Sequence, residues 1–226
     1  MKEWRFIIEF YHELGITRPS LNDSDFLVKK MIFCKKAGEF ALRKYLEGQN
    51  SPLQDHSFDS SFIVNNLTGS LEDDINQLST IVNRINSVIC KEDNVVIHIW
   101  GHANEQRIGC TPYNYLFEYL HRIDCAHLYV NLMNSCKTFG AKLFADEKTT
   151  IWYSEDKVDD SSSFGFEPAT GNPEDYTLPD DWDHDFDIPF LIYDCWDEEH
   201  SKFDFATYLS KVSEIGGRED LYGTTD

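Results

Sequence analysis

Two apolar runs of strand length constrain this 226-residue chain more than any other feature. The first, residues 95–100, leads to His102, and the second, residues 127–133, leads to Cys136. Strands that are apolar at successive positions are buried on both faces, as in a parallel sheet, whose carboxyl edge faces the ligand. Neighbouring strands lie about 4.8 Å apart, close enough to bring an imidazole and a thiol together. The pattern therefore predicts a histidine and a cysteine at one edge of a parallel sheet.

Strand and helix patterns alternate along most of the chain. They predict strands at 4–10, 61–65, 95–100, 127–133, 149–153 and 188–193, and helices at 25–47, 71–88, 112–120, 137–145 and 203–215. This alternation is typical of right-handed parallel crossovers. We therefore expect an α/β fold with a mostly parallel sheet of about six strands flanked by helices.

The negative charge of the chain is concentrated in its last third. Residues 1–154 hold 19 acidic and 16 basic side chains, whereas residues 155–226 hold 21 acidic and 4 basic ones. Such a field repels nucleic acid and anionic membranes and favours basic protein or peptide partners. The same carboxylates can equally serve solubility alone. We expect no nucleic-acid partner and no membrane partner.

The cysteines indicate a reducing environment. The six of them form no C-x-x-C pair, and the sequence shows neither an amino-terminal signal segment nor an apolar run that could span a bilayer. We expect a cytoplasmic protein without disulfides.

Two clusters invite a metal-binding interpretation. Aspartates 180, 181, 183, 185 and 187 lie in an acidic loop, residues 155–187, but lack the glycine and distal glutamate of a calcium-binding EF-hand. Cys110, His121, Cys125 and His127 do not make a recognised zinc spacing. A solvated loop and packing residues are the simpler interpretations, and we predict no metal and no cofactor.

Cys136 and His102 together suggest nucleophilic catalysis. A cysteine attacks as the thiolate, and a nearby histidine or a helix amino terminus lowers the pKa of a thiol. His102 would then act as the acid and base, and the backbone N–H groups of Ala103 and Cys136 would form the oxyanion hole. Taken without context, a buried thiol and a hydrogen-bonded ring are the commoner roles for such residues.

The two motifs resemble those of the caspase-like cysteine peptidases, which include caspases, metacaspases, gingipains, separase and bacterial CHAT-domain proteases. The histidine motif is Ile-Trp-Gly-His-Ala at residues 99–103, and the cysteine motif is Leu-Met-Asn-Ser-Cys at residues 132–136, close to the metacaspase form. Residues 151–160 are similar to the strand and pocket-forming loop of CHAT domains. The resemblance covers residues 1 to about 195.

The resemblance implies a three-layer peptidase domain at residues 1–195, which includes the acidic loop 155–187. Residues 196–226 would form a carboxyl-terminal helix and tail that pack on this domain or extend from it. The implied activity is that of an endopeptidase, a hydrolase, acting through an acyl-enzyme. A protein partner, a small-molecule ligand or a cut in the loop 155–187 would activate it, and Lys157 is the one lysine or arginine in that loop if the cut requires a basic residue. The expected setting is an effector role in bacterial antiphage defence.

By the same resemblance, Asn134 lines the pocket for the substrate residue before the cut, where metacaspases carry an acid. The carboxylates that would still favour a basic substrate residue are Asp23, Asp25, Asp156, Asp159 and Asp160. Ala103 also departs from the family, which has glycine after the histidine. These two departures keep open an alternative, a catalytically inactive scaffold that binds other proteins.

Overall fold

The computed structural model describes residues 3–12, 57–66, 70–133, 135–156, 195–197, 202–214 and 217–226. The strands are β1 Glu3–His12, β2 Ser57–Asn66, β3 Asn94–Gly101, β4 Arg107–Ile108, β5 Thr111–Pro112, β6 His127–Asn131, β7 Thr149–Ser154, β8 Trp196–Asp197, β9 Lys202–Phe203 and β10 Tyr222–Thr224. The helices are α1 Leu71–Asn86, α2 Tyr113–Leu120 and α3 Phe205–Glu214, with 3₁₀ helices at Thr138–Phe144 and Glu219–Leu221.

The central sheet has six strands in the order β10-β7-β6-β3-β1-β2. Five of them are mutually parallel, and β10 alone runs antiparallel to its neighbour β7. The register of β3 and β6 pairs Asn94 with His127 and His98 with Asn131. The predicted α/β class and mostly parallel sheet are confirmed. The two apolar runs that lead to His102 and Cys136 form the adjacent strands β3 and β6.

Successive side chains of the strands point to opposite faces of the sheet and bury both. Ile97, Val130 and Ile151 belong to one apolar core, which packs against α1 and α2. Val96, Tyr129 and Trp152 belong to a second core, which includes residues of α3. Because described helices cover both faces, the architecture has three layers.

Helix α1 follows from an apolar stripe at intervals of three and four residues. Leu78, Ile81, Val82 and Ile85 are buried on this stripe. Asp74 lies on the same buried face, where its carboxylate accepts a hydrogen bond from the Thr111 hydroxyl at 2.5 Å. One oxygen of this buried carboxylate therefore has a partner in β5.

Three predicted boundaries differ from the structure. Thr111 and Pro112 form the short strand β5 against β4, so α2 begins at Tyr113 rather than at the proline. The strand β6 ends at Asn131, two residues before the predicted end, because the Asn131 side-chain oxygen accepts the Met133 N–H at 3.0 Å and turns the chain. The segment after Cys136 is a 3₁₀ helix, which leaves no α-helix amino terminus there to support the thiolate.

The carboxyl-terminal residues are part of the sheet and of its second core. Tyr222 pairs with Ser154 in the β10–β7 ladder, and Tyr208 and Val212 of α3 are fully buried. The helix predicted at 25–47 and the strand predicted at 188–193 lie outside the described residues. None of the described helices combines the length and apolarity that crossing a membrane requires.

Candidate active site

His102 and Cys136 follow neighbouring parallel strands at the same edge of the sheet. His102 comes directly after β3, and Cys136 comes five residues after the end of β6. The Gly101 N–H donates a hydrogen bond of 3.1 Å to the Ser135 hydroxyl oxygen, so the residues immediately before the two candidates are in contact. The His102 side chain is exposed and that of Cys136 is partly exposed. Both reactive groups are therefore open to solvent at this edge.

The loop after His102 is a tight hairpin. The Gly109 N–H donates to the His102 carbonyl at 2.6 Å, and the Asn104 N–H donates to the Arg107 carbonyl at 3.0 Å. These two bonds flank the bridge between Ala103 and Ile108. In such a pair the amide of each bridging residue points away from its partner. The Ala103 N–H is consequently not used by the hairpin and is free to face a substrate.

Two glycines bring the backbones around the site close together. A Cβ on Gly101 would lie 2.7 Å from the Phe10 carbonyl oxygen at the end of β1. A Cβ on Gly140, in the 3₁₀ helix after Cys136, would overlap the Glu105 carbonyl in the loop after His102. Since only glycine fits at such distances, the histidine loop and the cysteine loop pack directly on each other.

Two buried hydroxyl groups hold the backbone on both sides of Cys136. The Ser154 hydroxyl donates to the Ser135 carbonyl, and the Thr138 hydroxyl donates to the Leu132 carbonyl at 3.1 Å. The Ser154 N–H donates to the Thr138 hydroxyl at 2.9 Å, and the Thr138 N–H donates to the Ser154 hydroxyl oxygen at 3.2 Å. The end of β7 thereby fixes the loop that carries the thiol.

Lys137, directly after Cys136, has a left-handed backbone with φ 53° and ψ 46°. Among the described residues it is the one non-glycine residue with a positive φ. Its N–H donates to the Asp156 carbonyl at 2.9 Å, which holds this conformation. A left-handed L-residue costs roughly 1–2 kcal/mol, and such strain clusters at functional sites. The turn sets the direction in which Cys136 is presented.

A buried polar pair lies beneath the site on the α3 side of the sheet. The Asn131 amide nitrogen donates to His98 Nδ1 at 2.9 Å, because the amide oxygen already accepts the Met133 N–H. This arrangement puts the proton of the neutral ring on Nε2. Burial, and then the charge of Arg5, lower the pKa of His98 to about 3. His98 is therefore a buried ring that stays neutral near neutral pH.

Two of the other described thiols, those of Cys110 and Cys125, are poorly suited to attack. Burial, and then Asp74, raise the pKa of Cys110. Burial raises the pKa of Cys125 to about 11. Both thiols stay protonated near neutral pH and are packing residues. Within the described ranges, no group of three or more histidine, cysteine, aspartate or glutamate side chains is arranged to hold a metal ion.

One of the predicted substrate-binding residues lies beside the thiol loop. Asp156 is exposed, and its carbonyl is bonded to Lys137, the residue after Cys136. The other predicted residues lie outside the described part of the chain: Asp23, Asp25, Asn134, Asp159 and Asp160. The aspartates of the loop at 180–187 also lie outside it.

No protein-family model matches the chain. A search of the curated proteins finds no sequence of significant similarity.

The residues that support the site were not found from the sequence. Ser135, Thr138 and Ser154 are short polar residues whose burial is not visible in a linear pattern. Ser154 did carry a signal, since it ends a third parallel strand and therefore lies at the same carboxyl edge as the two motifs. His98 and Asn131 are polar positions inside strands that are otherwise apolar, and their contact depends on the strand register.

Proposed function

We propose that this protein is a caspase-like cysteine endopeptidase in which Cys136 attacks the substrate and His102 transfers the proton. The hydrogen bond between Gly101 and Ser135 carries the proposal, because it ties together the residues just before the two reactive groups. A three-layer fold around a mainly parallel six-stranded sheet is what the resemblance implies, and the observed architecture supports it. The strained turn at Lys137 next to the thiol supports it further.

The proposed hydrolysis proceeds in two steps, acylation of Cys136 and hydrolysis of the acyl-enzyme. The Cys136 thiolate forms a bond to the carbonyl carbon of the scissile peptide, and the π electrons move to the oxygen. When the oxyanion collapses, the carbon–nitrogen bond breaks and protonated His102 gives its proton to the leaving amine. In the second step His102 takes a proton from water as the water oxygen attacks the thioester carbon. Collapse of this intermediate breaks the carbon–sulfur bond and releases the carboxylic acid, which leaves the Cys136 thiolate beside protonated His102.

The oxyanion needs donors that are already in place. The Ala103 N–H lies at the start of a fixed hairpin and is not directed at Ile108, so it can donate to the developing charge. The Cys136 N–H is the second proposed donor. An alanine can serve here because the bridge with Ile108 already sets the backbone direction that a glycine would otherwise permit.

The proposed substrate is a protein that is cut after an arginine or lysine. Asp156 is an exposed residue two positions after the end of β7, and its carbonyl accepts a hydrogen bond from the Lys137 N–H in the thiol loop. The strongly negative last third of the chain adds a field that attracts basic segments. A reducing, cytoplasmic setting suits a thiolate nucleophile, and the proposal includes activation by a protein or ligand and a role in bacterial antiphage defence.

The test uses peptides that differ only in having Arg, Lys, Asp or Ala before the cut, with products identified by mass spectrometry. The peptides are supplied with and without an extract of phage-infected cells as a source of activator. We expect cleavage of the Arg and Lys peptides, lowered at least about a hundredfold in Cys136→Ala and His102→Gln. Asp156→Asn is expected to reduce the preference for Arg over Ala.

Cys90→Ala is the matched control, because Cys90 is an exposed free thiol that precedes β3, at the opposite edge of the sheet. It is expected to cleave as the wild type does. The competing function, an inactive scaffold, predicts no cleavage that depends on Cys136 and no effect of His102 on the reactivity of the Cys136 thiol. Finding both of these negative results would refute the peptidase proposal.

A further inference from the structure

The β3–β6 ladder stops before the two strands reach the site. The last paired residues are His98 and Asn131, yet β3 continues for three more residues, to Gly101. After Asn131 the backbone keeps one more ladder bond to β7, in which the Leu132 N–H donates to the Trp152 carbonyl at 2.8 Å, but its pairing with β3 has ended. β3 and the segment after β6 are therefore no longer paired at the point where β3 leads to His102 and the other segment leads to Cys136.

Ser135 bridges this separation. It is 2% exposed, and its hydroxyl oxygen accepts the Gly101 N–H that a ladder carbonyl would otherwise accept. Its backbone is fixed to the other side, since the Ser135 N–H donates to the Leu132 carbonyl at 3.1 Å and its own carbonyl accepts the Ser154 hydroxyl. A single residue thus fixes the end of β3 relative to the loop of Cys136.

We propose that Ser135 is a positioning residue that couples the location of His102 to that of Cys136. The inference rests on the proposed function, because it assumes that the ring acts on the thiol. The Ser135 hydroxyl acts through Gly101, which precedes the histidine. Removing the hydroxyl frees the Gly101 amide and lets the histidine loop move relative to the thiol.

The matched comparison is Ser154. It is also a fully buried serine, and its hydroxyl bonds to the Ser135 carbonyl and to Thr138, both on the cysteine side of the gap. Ser154→Ala therefore perturbs the support of the thiol loop without removing a bond to β3. A role in general packing affects both serines alike, whereas a coupling role is specific to Ser135.

The test is a double-mutant cycle on the reactivity of Cys136. Purified full-length protein is alkylated with iodoacetamide at about pH 6, where a thiol needs ionic support to react. The rate at Cys136 is measured by peptide mass spectrometry relative to exposed Cys90 in the same sample. The variants are Ser135→Ala, Ser154→Ala and His102→Gln, with each serine variant also combined with His102→Gln. Circular dichroism checks that each variant is folded.

We expect Ser135→Ala to slow alkylation of Cys136 several-fold, up to about tenfold, and to change it less than about twofold once His102 is replaced. Ser154→Ala is expected to have the same effect in both backgrounds. Equal effects of Ser135→Ala with and without His102, or no effect at all, would overturn the coupling while leaving the dyad intact. If His102→Gln itself leaves the rate unchanged, the dyad and the proposed function fail. Should Ser135→Ala not fold, Ser135→Gly removes the same hydroxyl and replaces it in the cycle.

Discussion

Acid should weaken this fold through the buried ring of His98. The ring is fully buried, accepts a hydrogen bond from the Asn131 amide, and lies near the charge of Arg5, so its pKa is lowered from 6.5 to about 3. The unfolded chain binds a proton at this residue below about pH 6.5, whereas the folded protein does not until about pH 3. Stability from His98 is therefore fully present above about pH 6.5 and is lost as the pH falls below it.

The magnitude follows from proton linkage. Each unit of pKa difference corresponds to about 1.36 kcal/mol, so the free energy of unfolding should fall by about 2 kcal/mol between about pH 7 and about pH 5 through His98 alone. The loss approaches a value on the order of 5 kcal/mol near pH 3. Protonation of Nδ1 would also break the bond from Asn131, whose oxygen holds the Met133 N–H at the start of the cysteine loop.

The assay is urea unfolding, followed by circular dichroism, of the wild type and His98→Gln across this pH range. Glutamine stays neutral and its side-chain oxygen can still accept from the Asn131 amide, so the variant removes the titration but keeps a polar partner. We expect the wild type to lose about 2 kcal/mol more than the variant between about pH 7 and about pH 5. Parallel curves for the two proteins would refute the reasoning, and His121→Gln controls for loss of an exposed histidine.

Substitutions at three further positions test the supports of the site. Thr111→Val should lower the free energy of unfolding by about 1–3 kcal/mol in urea titration, since it leaves the buried Asp74 carboxylate without its bond of 2.5 Å. Lys137→Gly should change the free energy of unfolding by less than about 1 kcal/mol, because relief of left-handed strain offsets the added entropy of the unfolded chain. Lys137→Val should lower the free energy of unfolding by more than about 1 kcal/mol, measured by thermal unfolding. Gly140→Ala should cost about 1–3 kcal/mol in urea titration and slow alkylation of Cys136, because its Cβ would overlap the Glu105 carbonyl.

A matched control tests the first of these predictions, and a contrary result can be stated for each of them. Thr80→Val removes an exposed hydroxyl bonded to its own helix and should change stability by less than about 0.5 kcal/mol, so an equal loss at Thr111 and Thr80 would contradict the first prediction. A stable Lys137→Val protein would mean that the turn is not strained. An unperturbed Gly140→Ala protein would mean that the two loops do not pack directly on each other.

The parts of the fold that follow from periodicity were predictable from the sequence. The buried strand at 95–100 and the apolar stripe of α1 are patterns set by their own residues, and the alternation of strands and helices is enough to predict parallel pairing. The alternation does not fix the order of the strands, so the adjacency of β3 and β6 was a condition of the prediction; the observed pairing meets it and places His102 and Cys136 at one edge.

What could not be predicted depends on contacts between residues that are distant in sequence. The Thr111 hydroxyl donates to Asp74, 37 residues earlier, so it does not cap the helix that the Thr-Pro pair was expected to begin. The end of β6 is decided by the Asn131 side chain, which competes with the ladder for the Met133 amide. The link between Ser135 and Gly101 exists only because the two strands separate, and no local pattern encodes that separation.

The short antiparallel strand β10 has a consequence for the fate of the chain after a backbone cut. Residues 157–194 separate β7 from the carboxyl-terminal part, which contributes β10 to the sheet and Tyr208 and Tyr222 to the core around Trp152. Hydrolysis of one peptide bond in that interval would break the covalent chain but none of these contacts. The two fragments would migrate as separate bands in denaturing gel electrophoresis and elute as one particle in gel filtration. A single cut in this interval would therefore leave the two fragments associated.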